Sequence, residues 1–228
     1  MKTIVEIGAN RGQDTINLVQ QPDSFVYCIE PVPQLFEKLK VKFSENQNIK
    51  IFQLAIDNYD GKSNLGLSAP YHGPGTESSY ACSSLNEFSD NISETWGNRP
   101  DFKMTEYVEV EVMKLSTFIE KENIEVIDYL HCDAQSSDLN VLKSLGDKIE
   151  ILQSGRCEGS NTKKLYKNID NSVGSILEFL EENNFEITEL KDELGNKIEN
   201  PEYGLDSNGK KYLPHSTAEI DIFFKRKG

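Results

Sequence analysis

The chain has 228 residues, 37% hydrophobic and 27% charged, which is an ordinary soluble balance and long enough for one α/β domain with a full core. Its 24 Lys and Arg side chains against 38 Asp and Glu give a net charge of −14, which argues against DNA or RNA as a partner because phosphate backbones are repelled. No apolar run approaches the roughly 20 residues that a membrane span requires.

The first thirty residues predict a strand, a glycine turn, a helix and a second strand that ends in an acid. Residues 3–8 form a β-branched run, Gly8 and Gly12 shape the turn, and the apolar run 24–30 ends at Glu30. In such a βαβ unit the glycines let the backbone approach a nucleotide at the helix N-terminus. An acid about 20 residues further on can bind both ribose hydroxyls.

The glycine spacing favours one nucleotide cofactor over another. A dinucleotide turn needs G-x-G-x-x-G, whereas this turn is G-x-x-x-G and has Glu6 two residues before its first glycine. A carboxylate there would repel a pyrophosphate but attract the ammonium of an amino-acid group. The turn therefore suits S-adenosylmethionine better than NAD. An NAD-dependent oxidoreductase stays open as the alternative, as does a βαβ unit whose glycines only make a tight turn.

The rest of the chain predicts strands that alternate with helices. Further strands are expected at 49–56, 126–133 and 149–156. Helices are expected at 13–20, 33–45, 137–145 and 172–183, with a short one from a serine cap at Ser116. The last two apolar runs, 185–190 and 218–224, have no helix between them and should pair antiparallel. We predict a single α/β domain over residues 1–228, with a doubly wound, mostly parallel seven-stranded sheet and an antiparallel last strand.

Two insertions interrupt this plan. Residues 69–105 are rich in Ser, Gly, Pro and Asn and follow the third strand, so they would lie over the carboxyl ends of the strands as a lid. Their scattered aromatic side chains (Tyr71, Tyr80, Trp96 and Phe102) and His72 suit sugar binding, although a solvated loop would look the same. Residues 191–215 are charged and rich in Gly and Asn, and predict a long hairpin between the last two strands.

Two acids near the ends of neighbouring strands are the candidate catalytic residues. Asp133 ends the fourth strand, and Glu158 stands just past the expected fifth strand. A carboxylate in reach of an acceptor hydroxyl can act as general base, and two close carboxylates either raise one pKa or hold a divalent cation. Asp133 could instead only orient the methionine end of the cofactor. A metal-free base is favoured, because Gln135 is uncharged where a third anionic ligand could stand; Mg²⁺ or another divalent cation is allowed but not assumed.

Four motifs occur in a fixed order: VEIGANRGQ at 5–13, IEPVPQLFEKL at 29–39, QLAID at 53–57 and IDYLHCDAQSSD at 127–138. They are similar to the D-x-G-A-N-x-G, E-P-x-P-x-x-F/Y, x-x-A-L/I-x-D and D-x-L-K-I-D-V-E-G-x-E segments of the FkbM family of S-adenosylmethionine-dependent methyltransferases. The resemblance covers residues 1 to about 160. The chain departs from the family at His131, Gln135 and Ser136, where the family has lysine, glutamate and glycine.

The resemblance implies a class I methyltransferase fold and an O-methyltransferase acting on a hydroxyl of a sugar or glycan. Together with the glycine turn, it gives nine candidate cofactor-binding residues: Glu6, Gly8, Asn10, Gly12, Gln13, Glu30, Pro31, Ala55 and Ser84. The expected partner is a small-molecule or glycan acceptor. A non-catalytic nucleotide-binding domain, cut from a larger glycan-modifying polypeptide, is a further alternative. Four widely separated cysteines without metal-ligand spacing indicate reduced thiols and a cytoplasmic protein.

Overall fold

The computed structural model describes residues 1–69, 80–205, 209 and 211–228 of the chain. Its strands are β1 (Lys2–Ile7), β2 (Ser24–Ile29), β3 (Ile49–Phe52), β4 (Ala55–Ile56), β5 (Gly61–Ser68), β6 (Met104–Met113), β7 (Tyr129–Cys132), β8 (Ser154–Ser160), β9 (Phe185–Asp192), β10 (Gly204–Leu205), β11 (Lys211–Tyr212) and β12 (Glu219–Arg226). Its helices are α1 (Gln13–Val19), α2 (Pro33–Lys42), α3 (Ile92–Trp96), α4 (Leu115–Glu122), α5 (Asp138–Lys143) and α6 (Val173–Glu182).

Seven of the strands form one sheet, in the order β3-β2-β1-β7-β8-β12-β9. Neighbours from β3 to β8 pair in parallel, whereas β12 pairs antiparallel with both β8 and β9. The predicted doubly wound, mostly parallel sheet with an antiparallel last strand is therefore confirmed. The strand order reverses between β1 and β7, and open α/β sheets bind their ligands at such a point, outside the carboxyl ends of the strands.

Two strand boundaries differ from the prediction. The run 49–56 divides into β3, which joins the large sheet, and β4, which pairs with β6 in another sheet. The fifth parallel strand begins at Ser154 and not at residue 149, because Gly146–Ile151 coils into a 3-10 helix. Glu158 therefore lies inside β8, and the expectation that it stands just past the strand is wrong.

The predicted serine cap of the short helix is also wrong. α4 begins at Leu115, and Lys114 occupies its N-cap position without a side-chain hydrogen bond to the helix. The Leu115 N–H at the helix start has no acceptor within the helix, and it donates to Ser144 Oγ at 2.9 Å. The capping hydroxyl thus comes from a residue 29 positions further along the chain, while Ser116 lies within the first turn.

A second sheet of order β4-β6-β5 is absent from the sequence-based prediction. β5 and β6 pair antiparallel from Gly61–Val112 to Ser68–Met104. The sequence does carry a signal for β6, because Val108, Val110 and Val112 alternate with glutamates, as in a strand with one buried face. Leu65 and Leu67 of β5 pack with these valines and with Leu35 of α2, which places the small sheet beside the carboxyl end of β2.

The two faces of the large sheet bury different cores. On one face, residues such as Val5, Leu130 and Ile222 pack under α4, α5 and α6 in the largest hydrophobic cluster. On the other face, Ile4 and Val26 pack under α1 and α2 in a smaller cluster. Because successive residues of a strand point to opposite faces, each strand end presents one side chain to each layer.

The described part of the expected lid, residues 80–105, is packed against the domain. It contributes to a hydrophobic cluster formed by Phe88, Ile92, Trp96, Phe102, Leu165 and Tyr166. Phe88 stacks on Tyr166 with ring centroids 5.2 Å apart. Trp96 and Phe102 therefore lie in a packed cluster, where they contact other apolar side chains. Tyr71 and His72 lie outside the described residues.

Between β9 and β12, within the segment 191–215, the short strands β10 and β11 pair antiparallel, with Gly204 opposite Tyr212. Gly174 of α6 lies so close to this segment that a Cβ built on it would meet the Lys211 carbonyl oxygen at 1.8 Å. No helix within the described ranges is long and apolar enough to cross a membrane.

Candidate active site

The glycine turn after β1 packs directly against the end of β7. Gly8 has φ +81°, and a Cβ built on it would meet the Asp133 carbonyl oxygen at 1.9 Å. Asp133 in turn donates its backbone N–H to the Ile7 carbonyl at 3.0 Å. Only glycine fits both the left-handed conformation and this close approach. The turn and Asp133 are therefore held together at the switch point of the sheet.

Glu30 lies at the carboxyl end of β2, 4% exposed, and both of its carboxylate oxygens accept backbone N–H groups. Asn10 donates to Oε2 at 2.7 Å and Val32 donates to Oε1 at 2.8 Å. Burial raises the pKa of Glu30 to about 8 in spite of these two bonds, with smaller contributions from the negative charges of Asp133 and Glu6. A carboxylate has about four acceptor sites, so the Glu30 oxygens can still accept from a ligand.

A cleft of about 600 Å³, including its open mouth, lies where these elements meet. Of the predicted site residues, seven line it: Gly8, Asn10, Glu30, Pro31, Ala55, Ser84 and Asp133. Asn10, with φ +51°, carries a buried side-chain oxygen, Oδ1, that has no hydrogen-bond partner among the described residues. A buried acceptor without a donor favours a ligand that supplies one.

Three predicted cofactor-binding residues are not part of the cleft wall. Glu6 points to the opposite face of β1 from Ile7, where its Oε2 accepts from Thr15 Oγ1 at 2.7 Å and it is 1% exposed. Gly12 is the N-cap of α1 and has φ +72°. A Cβ built on it would meet the side chains of Leu39, which lies in α2, and of Phe43, which is the C-cap of α2. Gln13 is exposed at the start of α1. Gly12 thus permits close packing between α1 and α2.

Much of the cleft wall is apolar, and one part of it, β5, belongs to a segment that the sequence interpretation left out. Leu35, Leu54, Ile56, Leu65, Tyr80 and Leu85 all line it. They belong to α2, the β3–β4 region, β5 and the first described residues of the segment 80–105. β5 and its partner β6 went unrecognised in the sequence, so this wall could not be assembled from the motifs alone. An apolar wall suits a flat aromatic group such as a nucleobase.

Asp133 faces the cleft from the turn between β7 and α5. Its Oδ1 accepts a hydrogen bond from Gln135 Nε2 at 2.8 Å. Ser84, from the segment 80–105, donates its hydroxyl to the Gln135 carbonyl at 3.0 Å. The cleft therefore carries one carboxylate at the β2 end, Glu30, and a second at the β7 end.

Glu158 lies beside Asp133 on the next strand. The parallel register pairs His131 with Arg156, each two residues before one of these acids, and the charge of Asp133 acts on Glu158. On the other side, Asp221 of β12 pairs with Glu158. Glu158 is not part of the cleft wall. Burial raises its pKa well above the usual value, and the nearby charges of Glu219 and Asp133 raise it further.

A third acid, Asp138, lies near Asp133 and Glu158, but its side chain faces the interior of the protein. It begins α5, is fully buried, and its Oδ1 accepts from the Glu158 N–H at 3.1 Å. Burial raises its pKa to about 7, with Asp133 as the next largest cause. Within the part of the chain that the structure describes, no three His, Cys, Asp or Glu side chains are grouped so that they could hold a metal ion.

The strand order and the position of the cleft at the switch point define the class I methyltransferase fold, in which the cleft lies at the carboxyl ends of β1, β2 and β7. The family model described as the methyltransferase FkbM domain matches residues 6–187. The chain therefore belongs to the FkbM methyltransferase family, as its motifs indicate. Comparison with curated proteins finds no significant match.

Several solved structures are similar to this chain at low identity. A precorrin-6y C5,15-methyltransferase from Geobacter metallireducens GS-15 is 9% identical, with a TM-score of 0.46 over 100% of this chain and 80% of that one. The N-terminal domain of EvdMO1, solved with SAH and D-fucose, is 10% identical, with a TM-score of 0.47 over 100% and 76%. Methyltransferase FkbM from Methylobacillus flagellatus KT is 10% identical, with a TM-score of 0.49 over 97% and 43%.

Proposed function

We propose that this protein is an S-adenosylmethionine-dependent O-methyltransferase that methylates a hydroxyl of a sugar or other glycan. The observation that carries the proposal is that two carboxyl groups, those of Glu30 and Asp133, line the same cleft. In this proposal Glu30 binds the ribose of the nucleoside cofactor, and Asp133 contacts the acceptor hydroxyl. Family membership supports the methyltransferase class.

The residues of the cleft fit S-adenosylmethionine. Glu30 keeps free acceptor sites for the two ribose hydroxyls, while its bonds to the Asn10 and Val32 amides fix its orientation. Asn10 Oδ1 has no donor among the described residues and can accept from the amino-acid end of the cofactor. The apolar wall, with Leu54 and Leu65, suits the adenine ring. When bound, this cofactor supplies a methyl group on a positively charged sulfur.

The proposed general base is Asp133. Methylation of a hydroxyl forms a bond from its oxygen to the methyl carbon, breaks the bond from that carbon to sulfur, and releases the hydroxyl proton. Because Gln135 occupies Oδ1, the Oδ2 atom of Asp133 can take this proton. Glu158 lies near Asp133 and contributes a second carboxyl group to this part of the site. A divalent cation is not needed for this step.

A neutral, polyhydroxylated acceptor suits the surroundings of Asp133. Glu158, Asp221 and Glu219 are acceptors for hydrogen bonds from hydroxyl groups, and each has a raised pKa because carboxyl groups are buried near one another there. A phosphate or carboxylate on the acceptor would add a further negative charge to this edge. A sugar hydroxyl would not.

Cofactor choice and catalysis are tested separately. Calorimetry of the purified protein should give saturable binding of S-adenosylmethionine and no binding of NAD at the same concentration. Incubation with labelled S-adenosylmethionine and a panel of neutral sugars, beginning with D-fucose because EvdMO1 is solved with it, should transfer label to one acceptor. Binding of NAD alone would support the oxidoreductase instead. Cofactor binding without transfer to any sugar would support the non-catalytic domain.

The setting of the protein is also a proposal. All four cysteines, Cys28, Cys82, Cys132 and Cys157, are free and buried, which suits a reducing compartment such as the cytoplasm. The net charge of −14 disfavours nucleic acid as an acceptor. The domain could work within a larger glycan-modifying polypeptide. Size-exclusion chromatography of the native protein from its source, with detection by antibody, would test whether the domain occurs within a larger molecule.

A further inference from the structure

The turn that carries Asp133 has an unusual backbone. Two consecutive non-glycine residues, Gln135 with φ +48° and Ser136 with φ +69°, adopt the left-handed conformation. Side chains other than glycine rarely adopt it, and such strain persists only where the surroundings hold it. Contacts with neighbouring residues must therefore stabilise this turn and, with it, the position of Asp133.

The orientation of the Gln135 amide follows from its neighbours. An ionised carboxylate only accepts hydrogen bonds, so the group that faces Asp133 Oδ1 at 2.8 Å must be the NH₂ group. The amide oxygen then points the other way, where Tyr166 donates its hydroxyl to Gln135 Oε1 at 3.0 Å. A reversed amide would place oxygen against the carboxylate and nitrogen against a hydroxyl donor. Tyr166 and Asp133 together therefore fix one orientation.

Tyr166 is itself held firmly. It is 1% exposed, and its ring stacks on Phe88 at 5.2 Å with an interplanar angle of 14°. Its hydroxyl lies 2.8 Å from the Cys82 carbonyl as well, so a single O–H serves two acceptors, one in the segment 80–105 and one in the Asp133 turn. Burial raises the pKa of Tyr166 well above its usual value, which keeps the hydroxyl protonated as a donor.

We propose that Tyr166 and Gln135 are positioning residues, which through the chain of hydrogen bonds Tyr166–Gln135–Asp133 hold the Asp133 carboxylate so that Oδ2 faces the acceptor hydroxyl. The proposal rests on the proposed function of Asp133 as the base. It assigns a role in catalysis to the loop between β8 and α6, which carries Tyr166, and to the segment 80–105, which holds both Tyr166 and Gln135. Neither residue touches the reacting atoms.

The test needs neither cofactor nor acceptor. In protein labelled with ¹³C at aspartate carboxyl carbons, the Asp133 signal is identified by its loss in Asp133→Asn and followed as a function of pH. Gln135→Met keeps the size of the side chain but removes the donor, so the charged form of the carboxylate loses a hydrogen bond. The midpoint of the Asp133 titration should move to higher pH by about half a unit or more.

Tyr166→Phe keeps the stacked ring and removes only the hydroxyl, so it should move the midpoint in the same direction by a smaller amount. In the double variant the Tyr166→Phe change should add nothing to Gln135→Met, because the amide it acts through is gone. Ile92→Val, which removes one methyl group from the same hydrophobic cluster, is the matched control and should leave the midpoint unchanged.

Turnover provides the second readout once an acceptor is found. Gln135→Met should lower kcat roughly tenfold with little change in KM for S-adenosylmethionine, because a misplaced base slows the chemical step. An unchanged Asp133 midpoint in Gln135→Met would overturn the proposal, and so would an equal shift in Ile92→Val. Failure of the proposed function is recognised separately, since that would appear as absent S-adenosylmethionine binding while the titration still reports the hydrogen bonds.

Discussion

The Glu30 carboxylate is buried at the end of β2, and the Asn10 and Val32 amides fix its orientation toward the cleft. If its remaining acceptor sites bind the ribose hydroxyls, Glu30→Ala should weaken S-adenosylmethionine binding about ten- to a hundredfold, because a buried hydroxyl left without its acceptor costs roughly 1–3 kcal/mol. Calorimetry measures this directly. Glu37→Ala, an exposed acid on α2 that pairs with Lys40, is the control and should bind normally.

Glu30→Ala also removes an acceptor from two backbone amides, so its folding must be checked by circular dichroism and thermal unfolding. Glu30→Gln keeps one acceptor oxygen and should fall between wild type and Glu30→Ala in affinity. A folded Glu30→Ala protein with wild-type affinity would contradict the assignment of Glu30 to the ribose.

Asp133→Asn tests the general base. Asparagine preserves the shape of the side chain but cannot take up the hydroxyl proton, so turnover should fall by at least about 10² while cofactor affinity changes little. The measurement is methyl transfer to the acceptor found in the sugar panel, with and without EDTA. Because the step needs no metal, EDTA should leave wild-type turnover unchanged. Full activity in Asp133→Asn would move the base elsewhere, with His72 the first residue to test.

At the scale of residues, the motifs predicted part of the cleft and not the rest. Gly8, Asn10, Glu30 and Asp133 line it because strand ends at a switch point bring their side chains to one edge. Glu6 does not, since its side chain leaves β1 on the face that α1 covers. The spacing of Glu6 and Gly8 in the sequence does not show which face of β1 the helix α1 covers, so it could not predict that Glu6 is kept out of the cleft.

At the scale of elements, helix ends give a direct test of local capping. Ser172 is the N-cap of α6, and its side chain accepts from the Ser175 N–H. Ser172→Ala should therefore cost about 1 kcal/mol of unfolding free energy, measured by urea denaturation. Ser116→Ala is the matched control, because Ser116 lies inside α4 and not at its cap. Equal losses in the two variants would contradict this difference between them.

The strands that were missed or displaced have a physical explanation. β8 has the sequence SGRCEGS, whose polar and glycine residues do not resemble a buried strand, whereas the more apolar run before it forms a 3-10 helix. Gly155 is needed in β8, because a Cβ there would meet the Leu130 carbonyl oxygen at 2.6 Å. This contact with β7 is set by tertiary packing, so local pattern alone could not place the strand.

At the scale of the whole molecule, carboxyl groups converge on the carboxyl edge of the large sheet. Asp133 directly follows β7, and Glu158 and Asp221 pair with each other on the neighbouring strands β8 and β12. Glu219 and Asp138 lie near them, and the charge of each raises the pKa of Glu158. These carboxyl groups are therefore grouped where the acceptor is proposed to bind, and burial of such groups makes the free energy of unfolding depend on pH.

Burial raises the pKa of Glu30 to about 8, and those of Asp138 and Glu219 to about 7. Unfolding would return all three to the usual carboxyl range near 4, so in the window between these values the folded protein binds more protons than the unfolded chain. The free energy of unfolding must then fall as pH rises through this window. The sign is opposite to that of acids held ionised by salt bridges, which lose stability as pH falls.

The melting temperature of the ligand-free protein should therefore fall by at least about 4 °C between about pH 5.5 and pH 8, since a loss of about 1 kcal/mol lowers it by roughly 2–4 °C in a chain of this size. Glu219→Gln removes one of the titrating groups and should make the decline shallower, whereas Glu37→Gln on the surface should not. Repeating the scan in about 0.5 M salt screens the repulsion between exposed acids but not the cost of burial. A decline that disappears in salt, or a melting temperature that rises with pH, would show that the buried carboxyl groups do not control stability in this range.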